Sequence, residues 1–180
     1  MDELLNIWDD AIARGMAPEA YLLVVDVASQ SLSVVRDGMA ASRIPVSTAK
    51  SGLGGQEGSN RTPGGFHQVA DRIGEGAQAG SVFESRRPTS DRLEESAWRA
   101  GDGDRILSRI LRLRGLEPGR NAGPGVDSYD RYIYIHGTNQ EGQLGAPSSA
   151  GCIRMGNHDI IRLARILADQ PAWCWIGTLP

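Results

Sequence analysis

The sequence predicts a mainly β protein with peripheral helices. Apolar, β-branched runs bounded by turn residues recur along it, as at residues 21–27 and 173–176. The 23 glycines among 180 residues indicate many turns and loops, which a β fold requires more often than a helical one. The length suits one domain with a real hydrophobic core.

The first quarter of the chain predicts a helix followed by a β-meander. Apolar residues at helical spacing place the helix at residues 2–14, and Gly15 ends it. The dipeptide Asp37-Gly38 is a typical two-residue hairpin turn. Three strands are predicted around this turn and the turn before it, at residues 21–27, 31–36 and 39–46.

The middle of the chain predicts long loops and little regular structure. Residues 47–65 contain six glycines and precede a short strand at residues 66–69. Residues 71–105 are polar and weakly patterned, and a loop of that length in a compact domain is usually functional or mobile. Residues 106–113 fit a helix and a strand equally well, and residues 114–130 form another connection rich in Gly, Pro and Asp.

The last third of the chain predicts a strand, a helix and a closing strand. Residues 132–135 alternate tyrosine and isoleucine, and His136 stands at the end of this strand. Residues 156–159 offer helix N-caps ahead of an apolar face, which places a helix over residues 159–169. Residues 173–176 then form the closing strand.

Charge and hydropathy argue against nucleic-acid and membrane partners. The net charge is −3, which gives no overall attraction to polyanions. The arginine clusters at residues 86–87 and 109–114 lack interleaved aromatic residues and are interpreted as solvated faces. No stretch approaches the length of about 20 apolar residues that a membrane span needs.

The first ten residues are the basis for an expected compartment. They begin with acidic residues and lack the basic segment and apolar run of a secretory signal. We therefore expect a cytoplasmic protein, or a periplasmic one if a signal peptide has been removed from this chain.

A cysteine and a histidine in short polar segments predict covalent catalysis by a thiol. Cys152 lies sixteen residues after His136, and a neighbouring imidazole is the commonest means of activating a thiolate nucleophile. Gly151 lets the backbone approach a substrate closely, and the Ser149 hydroxyl can orient its neighbours. Because the loop enters a capped helix, the amides of Gly151 and Cys152 are candidates for an oxyanion hole.

The other cysteine and histidines are predicted to be structural. Cys174 lies between two tryptophans in a strand and is assigned to the core, although a single disulfide with Cys152 stays open. His67 is placed at the surface and His158 in the cap region of a helix. A metal site that includes His158 and Asp159 lacks paired-ligand spacing, so we predict neither a metal nor another cofactor.

Two interpretations stay open for the residues around the Cys/His pair. Arg154 shares a side with Cys152 in a strand-like step, where it binds a substrate carboxylate or forms a surface ion pair. Tyr132 and Tyr134 share strand parity with His136 and border the cleft or pack into the core. Of these two tyrosines, Tyr134 is assigned to substrate binding.

Several ordered motifs accompany the pair. One comprises His136-Gly137-Thr138 and the later stretch Ser149-Ala150-Gly151-Cys152-Ile153-Arg154-Met155. The others are residues 25–32 with Arg36-Asp37-Gly38, residues 45–50 and residues 60–66. Together they resemble the catalytic domain of the YkuD-type L,D-transpeptidase family. The resemblance covers nearly the whole chain, so we expect a catalytic domain over residues 20–180, preceded by a helix and lead-in over residues 1–19.

This resemblance implies a β-sandwich-like YkuD fold with a Cys/His cleft under a mobile lid. It makes Cys152 the nucleophile and His136 the base, with the second imidazole nitrogen oriented by the Gly137 carbonyl. The oxyanion hole that it implies is formed by Gly151 and Cys152. The residues that it implies as lining the site are Ser149 and Arg154.

The substrate that the resemblance implies is a peptidoglycan tetrapeptide stem. In the family, the thiolate attacks the carbonyl between a meso-diaminopimelate-type residue and a terminal D-alanine. D-alanine leaves and an acyl-enzyme forms. An amine acceptor then gives a cross-link or a protein attachment, whereas water gives a trimmed tripeptide. Carbapenem-type β-lactams acylate this cysteine and are expected inhibitors.

We prefer hydrolysis because the chain shows no export signal, and family members without one resemble L,D-carboxypeptidases of murein recycling. One departure from the family pattern bears on transfer: many members carry a second histidine two residues before the cysteine, where this chain has Ala150. The alternatives are an exported L,D-transpeptidase and, in another class, a non-catalytic module that binds murein peptides.

Overall fold

The computed structural model describes residues 2–179, which form ten strands and two α-helices. The helices are α1 (Asp2–Ala13) and α2 (Asn157–Leu167), and short 3₁₀ turns cover Glu95–Ala97 and Glu141–Gln143. The strands are β1 (Tyr21–Asp26), β2 (Ser31–Arg36), β3 (Met39–Ser47), β4 (Gly65–Ile73), β5 (Ser81–Glu84), β6 (Arg87–Arg92), β7 (Ile106–Gly115), β8 (Tyr134–Thr138), β9 (Ile153–Met155) and β10 (Ala172–Gly177).

A single sheet contains all of these strands and closes on itself. Its order is β4-β10-β1-β2-β3-β9-β8-β7-β5-β6, and β4 also pairs with β7. This pairing joins the ends of an eight-strand segment, while β5 and β6 form a hairpin that pairs with the first residues of β7. The predicted mainly β fold with peripheral helices is confirmed.

The main core packs α2 against the sheet. Ile160, Leu163 and Leu167 of α2 are buried in one cluster with strand residues such as Leu111 and Ile135. Full burial of such a side chain contributes about 1.5–3 kcal/mol. Because α2 contacts β7 and β8, this packing supports the strands that carry the site described below.

A second cluster lies under α1. Trp8 and Ala11 of α1 are buried together with Leu22 and Val24 of β1, whereas the alternate residues of β1 belong to the main core. Strand β1 is therefore buried on both faces, which explains its nearly continuous apolar sequence. Neither helix within residues 2–179 has the length and apolar content needed to cross a membrane.

The segment predicted as one long loop, residues 71–105, contains regular structure. It includes the end of β4 and the whole β5–β6 hairpin. Strand Arg87–Arg92 is mostly exposed and polar, so it has none of the apolar alternation that marks a half-buried strand. The ambiguous residues 106–113 are a strand, because they pair with β4, β5 and β8.

The strand predicted at residues 132–135 is displaced towards the C-terminus. Tyr132 has a φ of +56° and lies in a turn, so the apparent alternation begins before the strand does. Strand β8 runs Tyr134–Thr138 and carries His136 at its centre, not at its end. The expected shared parity of Tyr132 with His136 is therefore wrong.

The arginine clusters are only partly the solvated faces that the sequence suggested, since Arg87 and Arg114 are exposed but other members are not. Arg109 and Arg112 are each only 8% exposed. The Arg112 guanidinium lies 3.3 Å from the centroid of the Tyr129 ring, and that of Arg86 lies 4.6 Å from the centroid of the Tyr132 ring. The aromatic partners belong to a distant part of the chain, so inspection of the local sequence could not find them.

Candidate active site

The loop that carries Cys152 is braced by two hydroxyl groups. Ser149 Oγ donates to the Cys152 carbonyl at 2.5 Å and accepts from the Gly151 amide at 3.3 Å. Thr62 Oγ1 donates to the Gly151 carbonyl at 2.9 Å and accepts from the Ala49 amide at 2.9 Å. Gly151 has a φ of +137°, in the left-handed region where a side chain is strained. These contacts fix the backbone on both sides of the thiol.

Thr62 is a functional candidate that sequence reasoning missed. It is fully buried and belongs to the segment at residues 60–66 that resembles a family motif. That resemblance was the available signal, although it gave no role to the hydroxyl. The structure shows that the hydroxyl connects the loop after β3 to the loop that carries Cys152.

His136 is held as a neutral imidazole with a defined tautomer. It is 2% exposed, and its Nδ1 lies 2.7 Å from the Gly137 carbonyl oxygen. A carbonyl can only accept, so Nδ1 carries the proton and Nε2 keeps a free lone pair. Burial is the main cause that lowers the pKa of His136, against the raising effect of the Gly137 hydrogen bond. The imidazole is therefore poised to accept a proton at Nε2.

The register of two parallel strands brings Cys152 into the same site. Strands β8 and β9 align Ile135 with Ile153 and His136 with Arg154. Cys152, one residue earlier than Ile153, is consequently level with Tyr134. Because side chains alternate along a strand, residues 134, 136 and 154 point to one face, and Cys152, which directly precedes β9, packs against Tyr134 of that face. In agreement, Asp104 and Arg154 influence the pKa of both His136 and Cys152.

Burial favours the protonated form of the Cys152 thiol. The residue is partly exposed, and it packs against a cluster made of Phe83, Ile110 and Tyr134. Its Sγ donates to the Tyr132 carbonyl oxygen at 3.4 Å. Burial raises the pKa of the thiol to about 11, a shift that a Tyr134 backbone hydrogen bond and two arginines oppose and Asp104 reinforces. Both pKa shifts, upward for Cys152 and downward for His136, favour a thiol beside a neutral imidazole.

A comparison with protein families identifies the domain that contains this site. The model of the YkuD family, described as the L,D-transpeptidase catalytic domain, matches residues 20–173. The chain belongs to the YkuD family. A comparison with curated proteins gave no match.

Solved structures share the YkuD fold of this chain. An L,D-transpeptidase from Mycobacterium smegmatis is 17% identical with a TM-score of 0.54, over 88% of this chain and 59% of that one. L,D-transpeptidase 3 from Mycobacterium tuberculosis, in complex with a faropenem-derived adduct, is 15% identical with a TM-score of 0.53, over 88% and 60%. An L,D-transpeptidase from Xylanimonas cellulosilytica is 16% identical with a TM-score of 0.51, over 94% and 68%. The chain therefore spans less than two thirds of the length of the two mycobacterial proteins.

The oxyanion hole of this YkuD domain stays a prediction. Of the two amides assigned to it, that of Gly151 already donates to Ser149 Oγ. The long distance of this bond, 3.3 Å, indicates a weak contact that a developing oxyanion can replace. Ser149 itself is 4% exposed and braces the loop, so its predicted contact with substrate is not part of the observed geometry.

Arg154 forms an internal ion pair. It is 4% exposed, and its Nη2 lies 2.6 Å from Asp104 Oδ2. Its Nη1 donates to Gln140 Oε1 at 2.9 Å and to Ser148 Oγ at 3.0 Å. The ion-pair interpretation is thus observed: the Arg154 guanidinium is buried, whereas the Asp104 side chain is 40% exposed. The assignment of Arg154 to substrate binding stays a prediction.

Tyr134 lies between the thiol and the β5–β6 hairpin. Its side chain is buried, and its hydroxyl accepts a hydrogen bond from Arg86 Nη1 at 3.2 Å. Burial raises the pKa of Tyr134; Arg86 opposes this effect and Cys152 adds to it. Tyr132 is 50% exposed and contributes its carbonyl to the thiol. Substrate binding by Tyr134 stays a prediction.

The remaining histidines and cysteine lie outside the site. His67 is fully buried, so its predicted surface position is wrong; its Nδ1 contacts the Gly65 carbonyl and its Nε2 contacts Ser128 Oγ, both at 3.0 Å. His158 is at the start of α2 as predicted. Cys174 is buried and, like Cys152, forms no disulfide. Among residues 2–179, no three His, Cys, Asp or Glu side chains converge as metal ligands.

Proposed function

We propose that this protein is an L,D-carboxypeptidase that releases terminal D-alanine from peptidoglycan tetrapeptides through an acyl-enzyme on Cys152. The observation that carries the proposal is the hydrogen bond from His136 Nδ1 to Gly137. It leaves Nε2 as a base on the face of the sheet that Cys152 shares. A general base beside a thiol is the arrangement that nucleophilic catalysis requires.

The first half-reaction transfers one proton and exchanges one bond. His136 Nε2 takes the Sγ proton of Cys152 as the sulfur bonds to the carbonyl carbon before D-alanine. The amides of Gly151 and Cys152 stabilise the oxyanion. When the C–N bond breaks, the imidazolium returns the proton to the departing amine. D-alanine leaves, and the tripeptide remains as a thioester on Cys152.

The second half-reaction restores the enzyme. His136 Nε2 removes a proton from water while the oxygen attacks the thioester carbonyl. The C–S bond then breaks, the thiolate regains the proton from the imidazolium, and the tripeptide leaves with a new carboxylate. If an amine replaces water, the same steps give a transpeptide bond, so the chemistry is common to both activities.

The pKa values of the two residues determine when the proton moves. A thiol whose pKa is raised to about 11 and an imidazole whose pKa is lowered do not form a stable thiolate–imidazolium pair. Proton transfer is therefore coupled to attack on bound substrate. In this site the thiol gives up its hydrogen bond to Tyr132 when it transfers its proton.

Ala150 supports hydrolysis over transfer. Its side chain is exposed and has no hydrogen-bonding group, at a position where many family members carry histidine. An acceptor amine finds no imidazole there to position it, whereas water needs less orientation. Transpeptidation remains the second candidate, because the family match is to an L,D-transpeptidase catalytic domain. Soluble tetrapeptides in the cytoplasm are the proposed substrate pool, and cell fractionation tests that compartment.

The test is a product analysis with purified protein. A tetrapeptide that contains meso-diaminopimelate is supplied with and without an excess of D-amino acid or acceptor stem, and the products are identified by mass spectrometry. We expect tripeptide and D-alanine in both conditions from the wild type and neither from Cys152→Ser. Exchange or cross-linked products with little tripeptide would establish the transpeptidase instead.

A further inference from the structure

A row of alternating guanidinium groups and tyrosine rings runs from β7 to the thiol. Arg114 lies 4.7 Å from the centroid of the Tyr129 ring, and Arg112 lies 3.3 Å from it on the same measure. Arg112 is also 5.0 Å from the ring centroid of Tyr132, which Arg86 approaches to 4.6 Å. The row ends at Arg86. It reaches the thiol through Tyr132, whose backbone carbonyl accepts a hydrogen bond from Cys152 Sγ.

Arg86 reaches this position from the tip of the β5–β6 hairpin. Ser85 and Arg86 both have positive φ values, +47° and +68°, as the two central residues of a tight hairpin turn require. Phe83 of the same hairpin belongs to the cluster against which Cys152 packs. The hairpin therefore lies over the thiol, with the Arg86 guanidinium between Tyr132 and the Tyr134 hydroxyl.

The other arginines near the thiol already have partners. Arg154 pairs with Asp104 at 2.6 Å. Arg131 donates to three backbone carbonyls, those of Gly54, Gly55 and Arg61. The Arg154 guanidinium is thus already paired with a carboxylate, and the Arg131 guanidinium is already bonded to backbone carbonyls.

Arg86 has no carboxylate partner among residues 2–179. Arg112, its neighbour in the row, has Asp71 at 3.7 Å, but no carboxylate of the described residues lies within 4.0 Å of Arg86. Its polar contact is the neutral hydroxyl of Tyr134, and its side chain is partly exposed. A guanidinium stacked on one ring still presents N–H groups in a fork that matches a carboxylate.

We propose that Arg86 binds the terminal carboxylate of the substrate and selects stems that end in a free acid. This inference rests on the proposed carboxypeptidase function, because the terminal D-alanine is the residue that leaves. Arg86 contacts the Tyr132 ring and the Tyr134 hydroxyl, and these two residues also contact Cys152. A carboxylate bound to Arg86 therefore lies on the side of the site where the thiol is. Arg86, and not the paired Arg154, is then the specificity-determining cation of the site.

The kinetic test compares the tetrapeptide with its C-terminal amide. Arg86→Gln should lower kcat/KM for the free acid by about 10- to 100-fold, the loss expected for one charge-assisted contact, and change kcat/KM for the amide by less than about 3-fold. Arg86→Lys should restore part of the loss. The matched control is Arg87→Gln, an exposed arginine of the same hairpin, which should behave as wild type. Equal losses on both substrates would overturn the inference, and thermal melting would show whether the hairpin remains folded.

A binding test separates this inference from the proposed function. Calorimetry with Cys152→Ser should show tighter binding of the free acid than of the amide, and adding Arg86→Gln should remove that difference. If the wild type releases no D-alanine but this difference is found, the carboxypeptidase proposal fails and carboxylate recognition stands. If the free acid binds equally with and without Arg86, or neither peptide binds, recognition by Arg86 fails whatever the turnover.

Discussion

The Nδ1 nitrogen of His136 lies 2.7 Å from the carbonyl oxygen of Gly137, the next residue of the same strand. This hydrogen bond determines which imidazole nitrogen is the base, and the pairing of β8 with β9 determines which side chains share its face. The geometry of the candidate site therefore depends on the register of β8 and β9 as well as on the identities of His136 and Cys152.

The first prediction concerns the protonation state of the free thiol. Because the pKa of Cys152 is raised to about 11, alkylation by iodoacetamide should accelerate steadily from neutral pH into the alkaline range. Cys174→Ser should give the same profile, since Cys174 is buried. A rate that reaches its plateau below pH 7 would indicate a thiolate–imidazolium pair instead.

The second prediction concerns Thr62. Thr62→Val keeps the shape of the side chain but leaves the buried Ala49 amide and the Gly151 carbonyl without their partner. We expect a loss of about 1–3 kcal/mol in the free energy of unfolding together with reduced kcat. Thr62→Ser, which keeps the hydroxyl, should recover most of both. Denaturant titration and steady-state kinetics measure the two effects, and a Val variant with wild-type activity would show that the brace is not needed.

The third prediction concerns Gly151. A Cβ at this position has room, since its nearest neighbours lie at 3.5 Å, so the cost of Gly151→Ala comes from its φ of +137°. A strained conformation of this kind costs about 1–3 kcal/mol, and relief of the strain would move the Cys152 amide.

We therefore expect Gly151→Ala to lose activity out of proportion to stability. Gly15→Ala is the matched control, because Gly15 also has a positive φ and open space around it but lies at the end of α1. Loss of activity in both variants, measured at equal folded fractions, would argue against a local effect at the nucleophile loop.

The fourth prediction concerns acid stability. Burial lowers the pKa of His67 from 6.5 to about 4, so the unfolded chain binds a proton that the folded protein excludes. Stability should then fall as the pH drops from about 6.5 to about 4, by up to about 1.4 kcal/mol per pH unit for this group. The lowered pKa of His136 acts with the same sign.

Unfolding titrations across this pH range check the effect. His67→Gln should be less stable near neutral pH but show a shallower loss in acid. The exposed His158→Gln should keep the wild-type slope. An unchanged slope in His67→Gln would place the acid sensitivity elsewhere.

Much of the fold follows from local sequence signals, because β1, β2 and both helices have apolar patterns of their own and the Asp37-Gly38 turn precedes β3. The β5–β6 hairpin does not, since β6 is exposed and held by backbone pairing. Tyr132 misled the strand prediction because a turn with positive φ interrupts an apparently regular alternation.

Cys152 and His136 are candidates that residue types and a family resemblance pointed to, whereas their surroundings were not predicted. Arg86 and Tyr132 are 46 positions apart in the chain, and their stacking depends on how the hairpin docks. The pairing of Arg154 with Asp104 likewise joins segments 50 residues apart. Such contacts depend on tertiary structure, which no local pattern encodes.

The most direct measurement is to trap the covalent intermediate. Purified protein is mixed with tetrapeptide, quenched in acid within milliseconds to seconds, and analysed by intact-mass and peptide mass spectrometry. The account predicts an adduct equal in mass to the tetrapeptide minus D-alanine, located on Cys152 and absent from Cys152→Ser. Release of D-alanine with no adduct on Cys152 at any time, and the same release from Cys152→Ser, would contradict it.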